Sequence, residues 1–210
     1  MTAPAPPGER PRLILASASP RRSALLAGLG ILHQIRPAEV DETPLSGESP
    51  FALTERLARA KAVAVSAETG GVPVLGGDTV VAVEGEVLGK PRDKDEAVAM
   101  LLRLSGRDHH VYSGLALVRP DPAGRRVVSG VQVTRVRFRS FGEEEARSYA
   151  ATGEPMDKAG AYGIQGLGAV LVEGIEGDYS GVVGLPIPLL LSLLRQLGTP
   201  YRFPPSVPDV

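Results

Sequence analysis

Short apolar segments alternate along this chain with helix-start signals, and this alternation limits the fold more than any other feature. Residues 13–16 (LILA) predict a buried strand. Ser19-Pro20 and Ser49-Pro50 each place a capping serine before a proline at the first helical position. Strands and helices that alternate in this way, with antiparallel hairpins among them, predict an α/β fold with a mixed sheet and flanking helices.

The composition excludes several other classes of protein. The chain has 210 residues and no cysteine, which excludes disulfides, thiol nucleophiles and cysteine-ligated metals. A net charge of −1 and 4% aromatic residues argue against a nucleic-acid partner. No apolar run approaches the roughly 20 residues that cross a bilayer, and the N-terminal segment lacks the apolar core of a signal peptide. We therefore expect a cytoplasmic protein with no membrane partner.

The same chain predicts one folded domain over residues 12–199, with flexible proline-rich tails over 1–11 and 200–210. Within the domain, two elements of the second half are predicted in detail. A long strand over residues 126–139 carries apolar residues of both parities, and a one-residue bulge near Thr134 would return them to one face. A further strand is expected over Gly168–Val172.

Residues 16–22 (ASASPRR) join the first strand to the first helix and form the first candidate site. The free N–H groups and the dipole of a helix N-terminus favour anions. Ser17 and Ser19 add hydroxyl donors, and Arg21 and Arg22 add guanidinium groups that suit phosphate oxygens. The alternative is a capped helix with two solvated arginines.

Asp78 interrupts the apolar segment 74–81 (VLGGDTVV) and forms the second candidate. A carboxylate in so apolar a strand is costly unless it meets a metal, a cation or water. Gly76 and Gly77 before it would let a ligand approach the backbone. The alternative is an aspartate on an edge strand that faces solvent.

Lysine is rare in this chain, with four lysines against 19 arginines. A chain that otherwise uses arginine keeps lysine where a compact ammonium matters, which favours a function for Lys61 and Lys90. Lys90 follows the hairpin that carries Asp78, so we expect the two side chains close together. The alternatives are a solvated turn lysine at 90 and a lysine at 61 that only extends to solvent.

Two loops complete the set of candidates. Residues 154–166 (EPMDKAGAYGIQG) combine three glycines, a tyrosine and polar groups, as suits a loop around a small ligand. Glu39, Asp41 and Glu42 follow the second strand and would hold Mg²⁺ or Mn²⁺. An ordinary glycine-rich connection and a solvated acidic loop are the alternatives. The three histidines have no zinc-ligand spacing and are given no role.

Taken together, these segments fit one ligand, a nucleoside triphosphate. Its negative charge would be balanced by basic side chains, and its metal ion would lie between Glu42 and Asp78. The 162–166 loop would contact its non-phosphate end. The balancing side chains are Arg21, Arg22, Lys61 and Lys90.

Six segments of the chain, between about residues 13 and 197, closely resemble the Maf nucleoside triphosphate pyrophosphatases. They are LILASASPRR, ERLARAKA, GGDTVVAVEGEVLGKPRD, LSGRDHHVYSGLAL, EPMDKAGAYGIQG and GVVGLP. The resemblance implies hydrolysis of the α–β phosphoanhydride of a nucleotide to a monophosphate and pyrophosphate. It also implies a divalent metal, a homodimer, and a fold related to the inosine triphosphate pyrophosphatases, with two lobes and a central cleft.

The resemblance assigns roles to single residues. Asp78 of the Gly-Asp-Thr motif corresponds to the general base, and a role as metal ligand stays open for it. Lys61 and Lys90 correspond to the lysines of the family's Lys-Ala and Lys-Pro motifs. Glu42 is the best match for an acidic residue implicated in metal binding, in a loop where Glu39 and Asp41 stay open.

Substrate choice within the family is implied by three positions. Arg21, Thr79 and Gln165 match the branch that acts on dTTP and UTP, with modified pyrimidine nucleotides such as 5-methyl-UTP as further substrates. Ser17 or Ser19 would act with Arg21 on the phosphates. The alternatives are a pyrophosphatase specific for ITP or 7-methyl-GTP and a non-catalytic, nucleotide-binding regulator of septum formation.

Overall fold

The chain forms a mixed sheet with helices on both faces, as the alternation of segments predicts. The computed structural model describes residues 12–67, 69–121 and 124–204. The predicted tail at 1–11 and the last six residues of the predicted tail at 200–210 lie outside these ranges. The strands are β1 (Leu13–Leu15), β2 (His33–Ile35), β3 (Val74–Val83), β4 (Glu86–Leu88), β5 (Asp108–Asp121), β6 (Gly124–Phe138) and β7 (Val172–Glu176). The α-helices are α1 (Pro20–Gly28), α2 (Pro50–Ser66), α3 (Lys94–Leu104), α4 (Glu143–Ala151), α5 (Tyr179–Val183) and α6 (Ile187–Gln196).

The strand order of the seven-stranded sheet is β2-β1-β3-β5-β6-β7, with β4 paired to β3. β1 is parallel to β2 and β3, whereas β3, β4, β5, β6 and β7 pair in antiparallel fashion. One edge of β3 is divided between two neighbours, because β1 pairs with Val74 and Leu75 and β4 pairs with residues 81–83. The strand pairings of the described residues leave 76–80 without a neighbour on that edge, and Asp78 lies in this gap.

Both predicted serine caps are confirmed. The Ser19 hydroxyl accepts a hydrogen bond from the Arg22 amide at 3.4 Å, and the Ser49 hydroxyl accepts one from the Ala52 amide at 3.2 Å. These side chains satisfy amides of the first turn that have no partner inside the helix. The chain can therefore turn directly from β1 into α1 and begin α2 after the acidic loop. Among the described residues, no helix is both long and apolar enough to cross a membrane.

The apolar core lies on both faces of the sheet. Val74 packs with the alanines of α2 on one face, and the next residue, Leu75, packs with the leucines of α6 on the other. Successive side chains of a strand point to opposite faces, so a strand covered on both sides has apolar residues of both parities. A third group of core residues joins α3 and α4 to the far ends of β3, β5 and β6.

This covering explains why the predicted bulge near Thr134 is wrong. β5 and β6 pair without interruption from Asp108–Arg137 to Asp121–Gly124. β6 needs no bulge, because Val127 packs on the α2 side and Val128 on the α6 side. The irregularity that does occur lies between Arg137 and Phe138, where β6 pairs with β7.

The predicted strand over Gly168–Val172 is also wrong. Residues Leu167–Leu171 form a 3₁₀ turn, and the strand begins at Val172. The amides of Leu167 and Gly168 donate to the carboxylate of Glu154, at 2.9 and 3.1 Å. Because a side chain takes these amides, they are not available to a strand partner. Nearer the C-terminus, Tyr201 of the predicted tail donates its hydroxyl to the Leu29 carbonyl at 2.8 Å.

Candidate active site

A cavity of about 950 Å³ opens at the gap between β1 and β4. Its lining contains ten of the residues that the sequence predicts for catalysis, substrate binding or metal binding. The motifs come together because the end of β1, the start of α1 and the middle of β3 meet there. The selected residues in the lining are Ser17, Ser19, Arg21, Arg22, Glu42, Lys61, Asp78, Thr79, Lys90 and Gln165.

Arg22 is buried, so the alternative of two solvated arginines is wrong for this residue. Its guanidinium donates to the Gly184 carbonyl at 2.8 Å, the Ser17 hydroxyl at 2.8 Å and the Thr79 hydroxyl at 3.0 Å. Burial lowers the pKa of Arg22, and the nearby Asp78 carboxylate opposes this effect. Arg21 is half-buried on the surface of the same helix end and pairs with Asp157 at 2.9 Å.

Asp78 is 7% exposed and pairs with Lys61, so it is not an edge-strand carboxylate that faces solvent. Lys61 Nζ lies 2.7 Å from Asp78 Oδ1 and 2.7 Å from Glu42 Oε1. The Lys61 side chain is itself buried, so its ammonium is held between carboxylates rather than extended to bulk water. A buried charge that is paired and hydrogen-bonded in this way has a fixed position.

The prediction that Gly76 and Gly77 let a ligand approach the backbone is wrong. These two glycines instead allow other parts of the protein to pack closely against β3. A Cβ at Gly76 would lie 2.1 Å from the Ala58 carbonyl oxygen of α2, and one at Gly77 would lie 3.0 Å from Arg22 Nε. Because Gly76 lets α2 lie directly on β3, Lys61, one turn after Ala58, reaches Asp78.

Among the three acidic candidates after β2, Glu42 alone lines the cavity in the described structure. The loop is anchored to α2, because Arg56 donates to both carboxylate oxygens of Glu48, at 2.7 and 2.8 Å. Arg56 also donates to the Thr43 carbonyl at 3.1 Å. The anchored loop directs the Glu42 carboxylate to Lys61. Asp41 instead accepts a hydrogen bond from the Thr43 amide.

The carboxylates of Glu42 and Asp78 are the acidic groups that meet in the cavity at Lys61. Within the described residues, no group of three or more His, Cys, Asp or Glu side chains is placed to hold a metal ion. Mg²⁺ binds typically to one or two carboxylates together with substrate phosphates, and it keeps several waters. Two carboxylates beside an anion-binding helix end therefore fit a metal that arrives with a polyphosphate.

Lys90 and Gln165 lie in the lining and are exposed. Neither side chain makes a hydrogen bond or ion pair within the part of the chain that the structure describes. We call these two residues the open rim. The buried wall, by contrast, consists of Ser17, Arg22, Lys61 and Asp78, each of which is at most 9% exposed.

The sequence assigns no role of their own to Glu154 and Tyr149, yet these two residues hold the loop that carries Gln165. Glu154 accepts hydrogen bonds from the Leu167 and Gly168 amides and from the Tyr149 hydroxyl. Burial raises the pKa of Glu154, but these donors outweigh it and the net shift is downward. A Cβ at Gly166 would lie 2.3 Å from Glu154 Oε2. The glycine at 166 was therefore a signal for this close packing.

Two further residues of the same loop join the network. Lys158 Nζ donates to Asp157 Oδ1 and to the Glu154 carbonyl, both at 2.6 Å. Asp157 in turn pairs with Arg21. The 154–166 loop is thereby connected to the start of α1, on the other side of the cavity. The signal for Lys158 was again the rarity of lysine in this chain.

His109 lies behind Tyr162 of the 154–166 loop and is completely buried. Its Nε2 is 2.9 Å from the Tyr162 hydroxyl, and Tyr162 lines the cavity. Burial lowers the pKa of His109 to about 4. A neutral imidazole therefore supports the base of the 154–166 loop.

A helix end rich in N–H and guanidinium donors, next to a buried carboxylate paired with lysine, defines the class of this protein. It is an α/β protein whose cavity can bind a polyanion and deprotonate water beside it. A family model described as Maf-like protein matches residues 12–197. The chain belongs to the Maf-like family.

Three relatives carry the name dTTP/UTP pyrophosphatase. The chain is 53% identical over 188 residues to the protein from Myxococcus xanthus. These residues make up 90% of this chain and 93% of the relative. It is 52% identical to the protein from Symbiobacterium thermophilum, over 90% of this chain and 95% of the relative. It is 48% identical to the protein from Pelotomaculum thermopropionicum, over 89% of this chain and 96% of the relative.

Proposed function

We propose that this protein is a nucleoside triphosphate pyrophosphatase that hydrolyses dTTP and UTP to the monophosphate and pyrophosphate. The observation that carries the proposal is the buried Asp78–Lys61 pair beside the N-terminus of α1, within one cavity. The names of the relatives, at about half identity over nine-tenths of the chain, support the same reaction and substrates.

The phosphates bind at the start of α1. The hydroxyls of Ser17 and Ser19 and the guanidinium of Arg21 contact their oxygens, while Arg22 provides donors from the cavity wall. Lys90 on the open rim adds a mobile positive charge and neutralises the pyrophosphate as it leaves. These groups hold the α-phosphorus next to Asp78.

Asp78 is the general base. Lys61 holds Oδ1 of this carboxylate at 2.7 Å, and Oδ2 accepts a proton from a water molecule. The water oxygen forms a bond with the α-phosphorus, and the bond between that phosphorus and the bridging oxygen breaks, with both electrons leaving on pyrophosphate. Lys61 stabilises the negative charge of the transition state.

Glu42 and Asp78 would hold Mg²⁺ or Mn²⁺ with the phosphate oxygens. When bound, such an ion neutralises phosphate charge and lowers the pKa of its water ligands. Asp78 would combine its two roles because each oxygen of a carboxylate has more than one lone pair. Glu42 would supply a ligand from the more exposed end of the Lys61 contact, and Lys61 would stay hydrogen-bonded to Asp78.

Substrate choice is assigned to Arg21, Thr79 and Gln165, and Thr79 contributes through the Arg22 guanidinium that donates to it. Gln165 has an exposed amide on the open rim, and an amide can pair with the donor and acceptor edge of a pyrimidine. The proposal places the cavity in a central cleft between two lobes of an inosine triphosphate pyrophosphatase-like fold. It also includes a homodimer in the cytoplasm.

The test is pyrophosphate release from a nucleotide panel with Mg²⁺ or Mn²⁺. The panel contains dTTP, UTP, CTP, 5-methyl-UTP, ITP and 7-methyl-GTP. We expect release to be fastest from dTTP and UTP. Release led by ITP or 7-methyl-GTP would contradict the substrate assignment, and binding without release from any nucleotide would indicate a regulator instead.

A further inference from the structure

A closed ring of hydrogen bonds surrounds one side of the cavity. Arg22 Nη2 lies 3.0 Å from the Thr79 hydroxyl, which lies 3.2 Å from the Ser113 hydroxyl. Ser113 donates to the Gly181 carbonyl at 2.6 Å, and this carbonyl also accepts from the Gly184 amide at 3.0 Å. The Gly184 carbonyl closes the ring by accepting from Arg22 Nε at 2.8 Å.

The direction of each hydrogen bond in the ring is fixed. A hydroxyl has one proton to donate and two lone pairs. The proton of Ser113 goes to a carbonyl, which can only accept. Ser113 must therefore accept from Thr79, and Thr79 must accept from the guanidinium, which can only donate.

This order uses up the donor of Thr79. Its proton is committed to Ser113, and one of its lone pairs to Arg22, so it has no proton left for a nucleotide. The guanidinium of Arg22, by contrast, has five N–H donors, of which three are used by Gly184, Ser17 and Thr79. The remaining N–H groups belong to its two terminal nitrogens, which form a fork suited to phosphate oxygens.

We propose that Ser113 is a positioning residue, and that Ser113 and Thr79 act on the substrate through Arg22. The inference rests on the proposed function for the nature of the ligand, a triphosphate chain. Ser113 is 1% exposed and lies outside the cavity lining. It sets the orientation of Thr79, which holds one terminal nitrogen of Arg22, while Gly184 holds the other side of the guanidinium.

Calorimetric titration with inorganic triphosphate in the presence of Mg²⁺ tests this inference without catalysis. Ser113→Ala and Thr79→Val are each expected to weaken triphosphate binding about tenfold. Thr79→Val removes an anchor of the guanidinium, and Ser113→Ala removes the group that orients this anchor. The double variant should bind triphosphate no more weakly than the weaker-binding single variant, since the two substitutions break the same ring.

Ser129→Ala is the matched control. This serine lies on β6 outside the cavity, donates to Glu55 at 2.6 Å and accepts from Arg59 at 3.2 Å. Its loss therefore removes side-chain hydrogen bonds without touching the ring. We expect wild-type triphosphate affinity for it. Normal triphosphate binding by Ser113→Ala, or a double variant whose loss is the product of the two single losses, would overturn the inference.

Pyrophosphate release from UTP by the same proteins separates this inference from the proposed function. With the ring broken, KM should rise by the same factor as the triphosphate dissociation constant, while kcat changes less. Loss of UTP affinity without loss of triphosphate affinity would mean that Thr79 contacts the base, which contradicts the inference. A wild-type protein that binds triphosphate but releases no pyrophosphate would overturn the proposed function alone.

Discussion

The buried wall and the open rim of the cavity differ in how their charged and polar groups are held. Arg22, Lys61 and Asp78 are almost fully buried, and their hydrogen bonds to protein groups fix them before any ligand binds. Lys90 and Gln165 are exposed, and within the described residues they have no hydrogen-bond or ionic partner. One side of the cavity is rigid and the other is free to adjust.

This difference matches the two halves of a nucleoside triphosphate. The reacting phosphate needs donors and a base in fixed positions, because catalysis depends on groups that need no reorganisation during the reaction. The nucleobase differs between substrates, so side chains that can adjust to it suit the nucleoside half. The cost is entropy, since long exposed side chains lose rotamer freedom when they bind.

The largest effect is expected from the buried wall, in Asp78→Asn. The amide cannot accept the proton, so turnover should fall by about 10²–10⁴-fold. The fold should persist, because the amide keeps an oxygen for the hydrogen bond from Lys61. Pyrophosphate release and circular dichroism would be measured against Asp95→Asn, which neutralises an exposed surface carboxylate. Turnover near that of the control would exclude Asp78 as the base.

The two lysines test the comparison directly. Lys61→Ala should lower turnover and also destabilise the protein by about 3–5 kcal/mol, because it leaves a buried carboxylate unpaired. Lys90→Ala should lower turnover about tenfold or more, through lost stabilisation of the leaving group. Its urea midpoint should match the wild type, because Lys90 is exposed and has no partner in the described chain.

Equal loss of stability in the two variants would contradict the distinction between a buried wall and an open rim. Normal turnover in Lys90→Ala would show that the open rim takes no part in the reaction. The urea midpoints of the two variants should be compared with that of the wild type at one neutral pH.

A smaller effect is expected from His109, which supports the 154–166 loop through Tyr162. Its folded pKa of about 4 lies below the unfolded value of 6.5, so the unfolded chain binds the proton more tightly. The neutral form of His109 therefore contributes to the free energy of unfolding. This contribution is fully present above pH 6.5 and is lost as the pH falls to about 4, by at most about 3 kcal/mol. Urea unfolding between these pH values should show the loss.

His109→Gln should flatten this dependence, whereas His110→Gln, at an exposed neighbour, should keep it. An unchanged slope of stability against pH in His109→Gln would mean that other groups cause the loss. The carboxylate of Glu48 also has a lowered pKa, about 2, because Arg56 donates to it. Its contribution is lost only at lower pH, as the pH falls from about 4.5 to about 2.

The motifs of the sequence predict which side chains line the cavity, because strand ends and helix starts are local signals. Ser19 illustrates this, since a serine before a proline shows both a helix start and a place for anions. The alternation of apolar segments likewise predicts the order of most elements. Local signals extend over a few residues, and these features depend on nothing further away.

Contacts between distant segments are not predictable in this way. Whether Arg22 is solvated or buried depends on Gly184 and Thr79, which lie 162 and 57 residues further along the chain. The sequence around Gly76 suggests a glycine that lets a ligand approach, but α2 occupies the space beside it. The sequence predicts a strand over Gly168–Val172, but the carboxylate of Glu154 takes the amides of Leu167 and Gly168 instead.

The most direct test of the central claim is hydrolysis of dTTP in water enriched in ¹⁸O, with the products analysed by mass spectrometry. If Asp78 directs water to the α-phosphorus, one ¹⁸O atom enters each dTMP and the pyrophosphate stays unlabelled. Label in the pyrophosphate, or release of single phosphate with dTDP, would show attack at another phosphorus. Either of those results would contradict the proposed placement of the triphosphate between the start of α1 and Asp78.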